Sequence, residues 1–423
     1  MRLKSRLATL VSVGALTMGF AGFGVVLTSS PALADPTCQE VATGSDTIQD
    51  VINQYAVDLG TNELCSFNAV DPITGSTTTN IEYVKGVNAT QPAITCLSQR
   101  PNGSGAGQVA LRESINSATT ATPALSPLMP VGCSDIGRSS SGPTSNTAGA
   151  LTFIPFAEDA VAGAIGPATG GVVNGVNGPV TTVATSLTTT NMFTTADLIN
   201  LYKNCAQVSE GGVTYWPFEV GVTQPAGTQR IDLYLPQSGS GTFKFWTSTL
   251  GVPTSPSLPA CDFQTIQQGT LSGGIVEEHN GRAMGTDTDG YGPFSIAQWI
   301  SQSNHTTGNP VDIDRRYGAV LQSINGVSPF SGTLMNKAFP INREVFMVVE
   351  GCRVDATAPL PFTGATCSVD PILQAMLVGT GSSLCQDALS ILNYGFALLV
   401  NNTNEPDTCG SIAPALRAVP PPV

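Results

Sequence analysis

Charge is scarce in this sequence. Only 11% of its 423 residues are Asp, Glu, Lys or Arg, and 17 basic residues face 30 acidic ones. A chain so poor in cations makes no electrostatic footprint for nucleic acid. Imidazole is rarer still: His279 and His305 are the only histidines. No H-E-x-x-H, Walker or dinucleotide fingerprint occurs. None of the ten cysteines stands in a C-x-x-C pair, which argues against zinc and dithiol redox chemistry. No internal repeat is present. Nothing in the sequence implies a cofactor or a metal ion.

The longest apolar run lies at the start. Arg2, Lys4 and Arg6 precede an uncharged stretch from Leu7 to Leu27, and Ala32-Leu33-Ala34 follows Ser29, Ser30 and Pro31. That is the pattern of a cleaved secretory leader over 1–34, with the mature chain starting at Asp35. Cys38 follows Asp35-Pro36-Thr37 rather than a small-residue box, so release is expected instead of lipid anchoring. No membrane-spanning segment is expected beyond the leader. Export suits disulfides, and nearness in sequence suggests Cys205 with Cys261, Cys352 with Cys367 and Cys385 with Cys409. Formal charge is −13; less the three leader cations it becomes −16 for the mature part.

What is abundant is Gly, Ser, Thr and Pro, beside 41% apolar residues. That apolar share supports folded α/β lobes with long loops rather than disorder. Ala118 to Pro130, Pro167 to Asn191 and Gly251 to Pro259 read as surface excursions. The 389 residues after the leader exceed what one core usually holds, so two lobes are expected.

One local pattern recurs: strand, glycine-rich turn, helix. Ile48, Val51, Ile52, Tyr55 and Leu59 have helical spacing after Gly44-Ser45-Asp46, with Gly60 as the stop. The strand Ile81 to Val87 leads towards Gly103-Ser104-Gly105-Ala106-Gly107 and a short helix. A strand near Cys133 to Ile136 opens into Gly137-Arg138-Ser139-Ser140. The strand Ile231 to Leu235 ends in Ser238-Gly239-Ser240-Gly241-Thr242, followed by helical Phe243, Trp246 and Leu250. Thr194 or Thr195 caps a further helix. Leu151 to Phe156, with Pro155 unsuited to a central ladder, reads as a crossing strand, and Arg343 to Val349 as the return. Helices are expected at Asp370 to Val378 and Leu384 to Val400. Hinges at 151–156 and 339–343 divide the chain into lobe 1 (35–155 and 340–423) and lobe 2 (156–339). Strands alternating with helices imply mainly parallel sheets.

A helix N-terminus leaves several N–H groups unpaired and carries partial positive charge, so such a turn is a candidate anion site. A serine there is more often a plain cap, but recurrence in both lobes, at the carboxyl ends of strands, favours a ligand. The turns at Thr43 to Thr47, Asn102 to Gly107, Asp135 to Ser140 and Gln237 to Thr242, with Gly292 to Ala297 and Phe339 to Phe346, resemble those of the phosphate-binding receptors of bacterial ABC importers. The order matches over nearly the whole mature chain. That resemblance implies a two-lobed type 2 periplasmic-binding-protein fold, no enzymatic activity, and dehydrated phosphate or a related oxyanion held in the cleft for a membrane permease. It places Ser45, Asp46, Thr47, Ser104, Ser140, Ser240, Gly241 and Thr242 at the ligand, and Ser139 and Ser238 on the same turns are further candidates. The family usually has an Asp where Ser140 stands and an Arg where Pro236 stands. Arg138 is a candidate replacement for the cation, and Asp46 or Glu278 for the acceptor. If neither serves, sulfate or an organic phosphate becomes the expected ligand. Glu277-Glu278-His279-Asn280 resembles an insertion common in secreted members; His279 is a candidate ligand contact or pH-sensitive hinge partner, with a surface loop as the plainer position. A monomer is expected.

Two other readings follow from the same residues. A secreted serine hydrolase would use a turn serine as nucleophile, but Ser240 lacks the G-x-S-x-G flank. A wall-associated adhesin without a small ligand suits the Thr- and Gly-rich composition but not the lack of β-repeats.

Overall fold

The computed structural model describes residues 37–60, 62–70, 79–86, 93–115, 129–166, 172–173, 176–177, 192–219, 221–253, 276–304, 313–361, 367–399 and 408–419. The expected leader, most of the three expected excursions and His305 lie outside them. Short strands form β1 (Thr37–Cys38), β2 (Glu40–Gly44), β3 (Leu64–Ser66), β4 (Ile81–Lys85), β5 (Ile94–Ser98) and β6 (Ile136–Ser139). Between them lie α1 (Gln49–Leu59) and α2 (Ser104–Ile115). The longest strand, β7 (Leu151–Ile165), leads on to α3 (Thr195–Asn204), β8 (Val208–Glu210), β9 (Val213–Pro217), β10 (Thr228–Leu233), α4 (Gly241–Leu250), β11 (Gly290–Ser295) and α5 (Ile296–Ser303). β12 (Asn342–Glu350) then returns beside β7, and α6 (Pro371–Leu377) follows.

The architecture is α/β. One mixed sheet runs in the order β8-β9-β10-β11-β7-β12-β6-β2-β3, and β1, β4 and β5 form a small sheet of their own. Parallel pairing holds on the flanks, between β9, β10 and β11 and between β3, β2 and β6. The middle is antiparallel, β11 to β7, β7 to β12 and β12 to β6. The reason is topological: the chain crosses between the flanks on β7 and comes back on β12. Pro155 lies inside β7, and the ladder yields there. Ala157 faces Val345 and Pro155 faces Phe346, so a register shift absorbs the residue between.

Two apolar cores meet along β7. Ile154, Phe156 and Ala157 belong with α1, α6 and the inner face of β12. Ala160, Val161 and Ala162 belong with α3, α4, β10 and β11. Thr194 caps α3 through a reciprocal box with Asp197, and Ser240 caps α4, which ends at Gly251 in the left-handed region. The single helix expected over 384–400 is instead two short helices, Ser383–Gln386 and Ala388–Asn393, because Asp387 caps the second; Gly395 then turns the chain at positive φ so that Ala397 and Leu398 pair with β7. The strand expected at 81–87 joins the small sheet, where β5, unforeseen in the sequence, pairs with it.

Cys352–Cys367 and Cys385–Cys409 are bonded as sequence nearness suggested, and Cys38–Cys65 and Cys96–Cys133 are bonded as well. Cys261, the suggested partner of Cys205, lies outside the described residues. A partly buried ionic knot joins β2, β4 and the segment after β12: Arg353 meets Glu40, Asp135 and Asp370, and Lys85 meets Asp135. Burial and the nearby Asp135 push the Glu40 carboxyl up to about 9 against the pull of Arg353 and Lys85. Among the described residues, no helix is long and apolar enough to cross a membrane.

Candidate functional site

The glycine-rich turns do meet. β2 ends at Gly44, whose φ of +116° turns the chain so that Ser45 donates its backbone N–H to Arg138 O. Gly44 and Gly107 sit face to face, and a Cβ on Gly107 would lie 2.7 Å from the Gly44 Cα. Only glycine permits this approach of α2 to the end of β2. The result places Ser45 and Thr47 Oγ at 3.2 and 3.1 Å from Ser140 Oγ, with Ser104 Oγ at 3.3 Å. From the other core, Gly241 presses onto the same point: a Cβ there would stand 2.3 Å from Ser104 Oγ and 2.4 Å from Ser140 Oγ. Ser45, Thr47, Ser104, Ser140, Ser240 and Thr242 are all buried.

What converges is hydroxyl groups more than free amides, and here the sequence expectation needs correcting. Ser240 Oγ already accepts the N–H groups of Thr242 and Phe243, Ser104 Oγ accepts the Ser140 N–H, and the Gly105 N–H bonds Gly239 O. Nor does Ser45 cap α1, which starts at Gln49 with Ile48 before it and no side-chain cap.

Two charged groups complete the cluster. Glu278, fully buried, accepts from Thr47 Oγ1 at 2.7 Å and from Ser240 Oγ at 2.9 Å. Burial and the neighbouring Asp46 push its carboxyl up to about 7, against Arg343, Thr47 and His279. Arg343 on β12 donates through Nη2 to Thr242 Oγ1 at 2.7 Å and to Asp159 Oδ2 at 2.9 Å. Asp159, its register partner on β7, is fixed in turn by Ser295 Oγ and the Ala297 N–H. Among the described residues, Arg343 Nη1 finds no acceptor. A buried guanidinium N–H without a partner carries an uncompensated desolvation cost and can serve as a hydrogen-bond donor.

Arg343 was missed in the sequence, where the cation was sought at Arg138. The guanidinium of Arg138 is taken up by Ser66 Oγ and by the carbonyls of Phe67 and Gly44. Burial lowers it to about 10, while Asp50 and Asp46 oppose the shift. Ser139 turns aside, donating to Ser141 O, and Ser238 is exposed on the turn before Ser240.

His279 is not on a surface loop; it is completely buried. Its Nδ1 is 2.7 Å from Asp46 Oδ2 and its Nε2 is 3.4 Å from Glu277 Oε2, while Asn102 Nδ2 donates to Glu277 Oε1. Burial disfavours the imidazolium, but the two carboxylates outweigh it and raise the group to about 9. Burial likewise pushes Asp46 up, yet His279 brings it below its ordinary value. Asp46, Glu277 and His279 also stand close enough to share a metal ion. The carboxylates nevertheless lie near opposite ring nitrogens and favour an imidazolium by charge, although among the described residues neither ring N–H is aligned for a hydrogen bond.

The fold is similar to several solved transport receptors. One, from Clostridium perfringens and described as a phosphate ABC transporter substrate-binding protein with bound phosphate, has a TM-score of 0.41 at 11% identity, covering 85% of this chain and 99% of its own. An ABC-type phosphate transport receptor from Vibrio cholerae gives 0.39 at 14% identity, covering 85% and 100%. PstS from Borrelia burgdorferi gives 0.34 at 14% identity, covering 86% and 99%. Superpositions this loose carry no functional weight. No known family and no curated protein matches the chain.

Proposed function

We propose that the chain is an exported, non-enzymatic solute-binding protein. It captures phosphate, or a related oxyanion, between lobe 1 (35–155 and 340–423) and lobe 2 (156–339), and hands it to the permease of an ABC importer. The observation that carries this reading is the meeting of buried hydroxyls from Ser45, Thr47, Ser104 and Ser140 with Ser240, Thr242 and the unpartnered Nη1 of Arg343. These groups come from separate turns of both apolar cores. Donors drawn from two sides of a cleft select the closed form when an anion sits among them. The leader-like start of the sequence supports export, and the protein acts as a monomer.

The hydrolase reading loses its base at this site, because both ring nitrogens of His279 face carboxylates and Ser240 Oγ bonds Glu278. The adhesin reading leaves a buried ring of hydroxyls without a purpose.

Calorimetric titration of the whole secreted chain with phosphate, sulfate and simple phosphate esters tests the proposal. Phosphate binding is expected, and Ser240→Ala with Thr242→Ala should weaken it by about a hundredfold or more, since two hydrogen bonds to a charged group are lost. The double variant should also lose about 1 kcal/mol of stability with the α4 cap. Absence of binding heat with every anion overturns the reading.

A further inference from the structure

Glu278 holds a position that a receptor of this kind should leave to its cargo. Its two carboxylate oxygens take the hydroxyls of Thr47 and Ser240, one from each side, at 2.7 and 2.9 Å. A carboxylate offers two oxygens at a spacing close to that of two oxygens on a tetrahedral oxyanion, so it satisfies the same donors. The main chain around it is pinned: Ser295 N donates to Glu278 O, Asn280 N to Glu277 O, and Gln302 Nε2 to His279 O. Only the side chain, or its charge, is free to change.

Resting on the function proposed above, we propose that the Glu278 carboxylate is a built-in competitor for the oxyanion. Ionised, it ties Thr47 to Ser240 and repels a second anion from the same hydroxyls. An oxyanion gains them when Glu278 takes up a proton, which removes the like charge and loosens its hold on both hydroxyls, so capture is linked to proton uptake. The charged groups facing Glu278 are Asp46, which favours its neutral form, and Arg343 and His279, which favour its ionised form. Burial adds to the first side, and the balance leaves the carboxyl at about 7, within reach of ordinary changes of pH.

Phosphate titrations of wild type, Glu278→Gln and Glu278→Ala between about pH 5.5 and about pH 8.5 decide the matter. Both variants should bind about tenfold or more tighter than wild type at the alkaline end, because a like charge has been removed from the seat. The advantage should shrink towards the acid end, where wild-type Glu278 is neutral; the ligand's own titration cancels in the ratio of two proteins at one pH. Without ligand and at the acid end, where Glu278 is neutral, Glu278→Ala should melt below wild type, having lost the tie between Thr47 and Ser240. Should neither variant fold, Glu278→Asp draws the carboxylate back by one methylene and should show the same sign at smaller size. Variants that bind more weakly than a binding wild type at every pH overturn the inference and make Glu278 a ligand acceptor, and a pH-independent ratio overturns it too. Silence from wild type and variants alike, with intact cooperative melting, brings down the receptor reading itself.

Discussion

Arg343→Met should remove oxyanion binding and lower stability by about 3–5 kcal/mol, the usual effect of breaking one side of a buried ion pair. Arg343 and Asp159 face each other across β7 and β12, the two strands that cross the middle of the sheet. Asp159 is completely buried, so without the guanidinium it keeps only Ser295 Oγ and the Ala297 N–H as donors. Thr242 Oγ1 loses the same partner, and with it goes the link between α4 and β12. Arg343→Lys keeps a charge but not the fork that reaches Asp159 and Thr242 together, and should recover stability better than affinity. Asp159→Asn combined with Arg343→Met should regain much of the lost stability, since no lone charge remains, while binding stays lost. Urea unfolding and phosphate calorimetry on the same samples check both halves. A single Arg343→Met variant within about 1 kcal/mol of wild type would show that the pair is solvated after all.

Much of this arrangement could be read from residue order, because local rules and tertiary structure agree. Thr194 before an apolar 3.6-residue pattern, and Ser240-Gly241-Thr242 before Phe243 and Trp246, are cap signals, and both helices start there. The meeting of Ser45, Ser104, Ser140 and Ser240 followed from turns placed at the ends of strands. Bonding partners were harder to see, since a serine next to a helix start can take the helix amides for itself or leave them for a ligand. Ser240 does the former. The Arg343 cation was hidden because a strand was read for its apolar content. Yet Asp159 in one apolar strand and Arg343 in another are opposite in charge, a legible signal for a buried pair. Pro155 misled in the other direction, for a bulge lets a central strand carry a proline. His279 was read by its loop, whereas its flanking acids were the better guide.

Those acids make stability depend on pH, in a window shared with Glu40. His279 goes from 6.5 in the open chain to about 9 when folded, so the folded form holds its proton more tightly. The corresponding stabilisation, on the order of 3 kcal/mol, is fully present below pH 6.5 and is lost as pH rises through about 9. Asp46 works at the opposite end: its carboxyl is lowered, so its share is lost only as acid protonates it. Glu278, raised to about 7, also costs stability as pH rises, but that loss is complete near neutrality and does not extend to pH 9. Urea midpoints measured at about pH 6, 7, 8 and 9 should therefore fall steadily for wild type across the alkaline half of the series. His279→Gln should start lower by about 3–5 kcal/mol, with Asp46 and Glu277 left facing each other without a cation. Above neutrality it should then fall less steeply than wild type, keeping the share of Glu40, whose carboxyl is also raised to about 9, whereas a variant as steep as wild type would show that His279 does not titrate there.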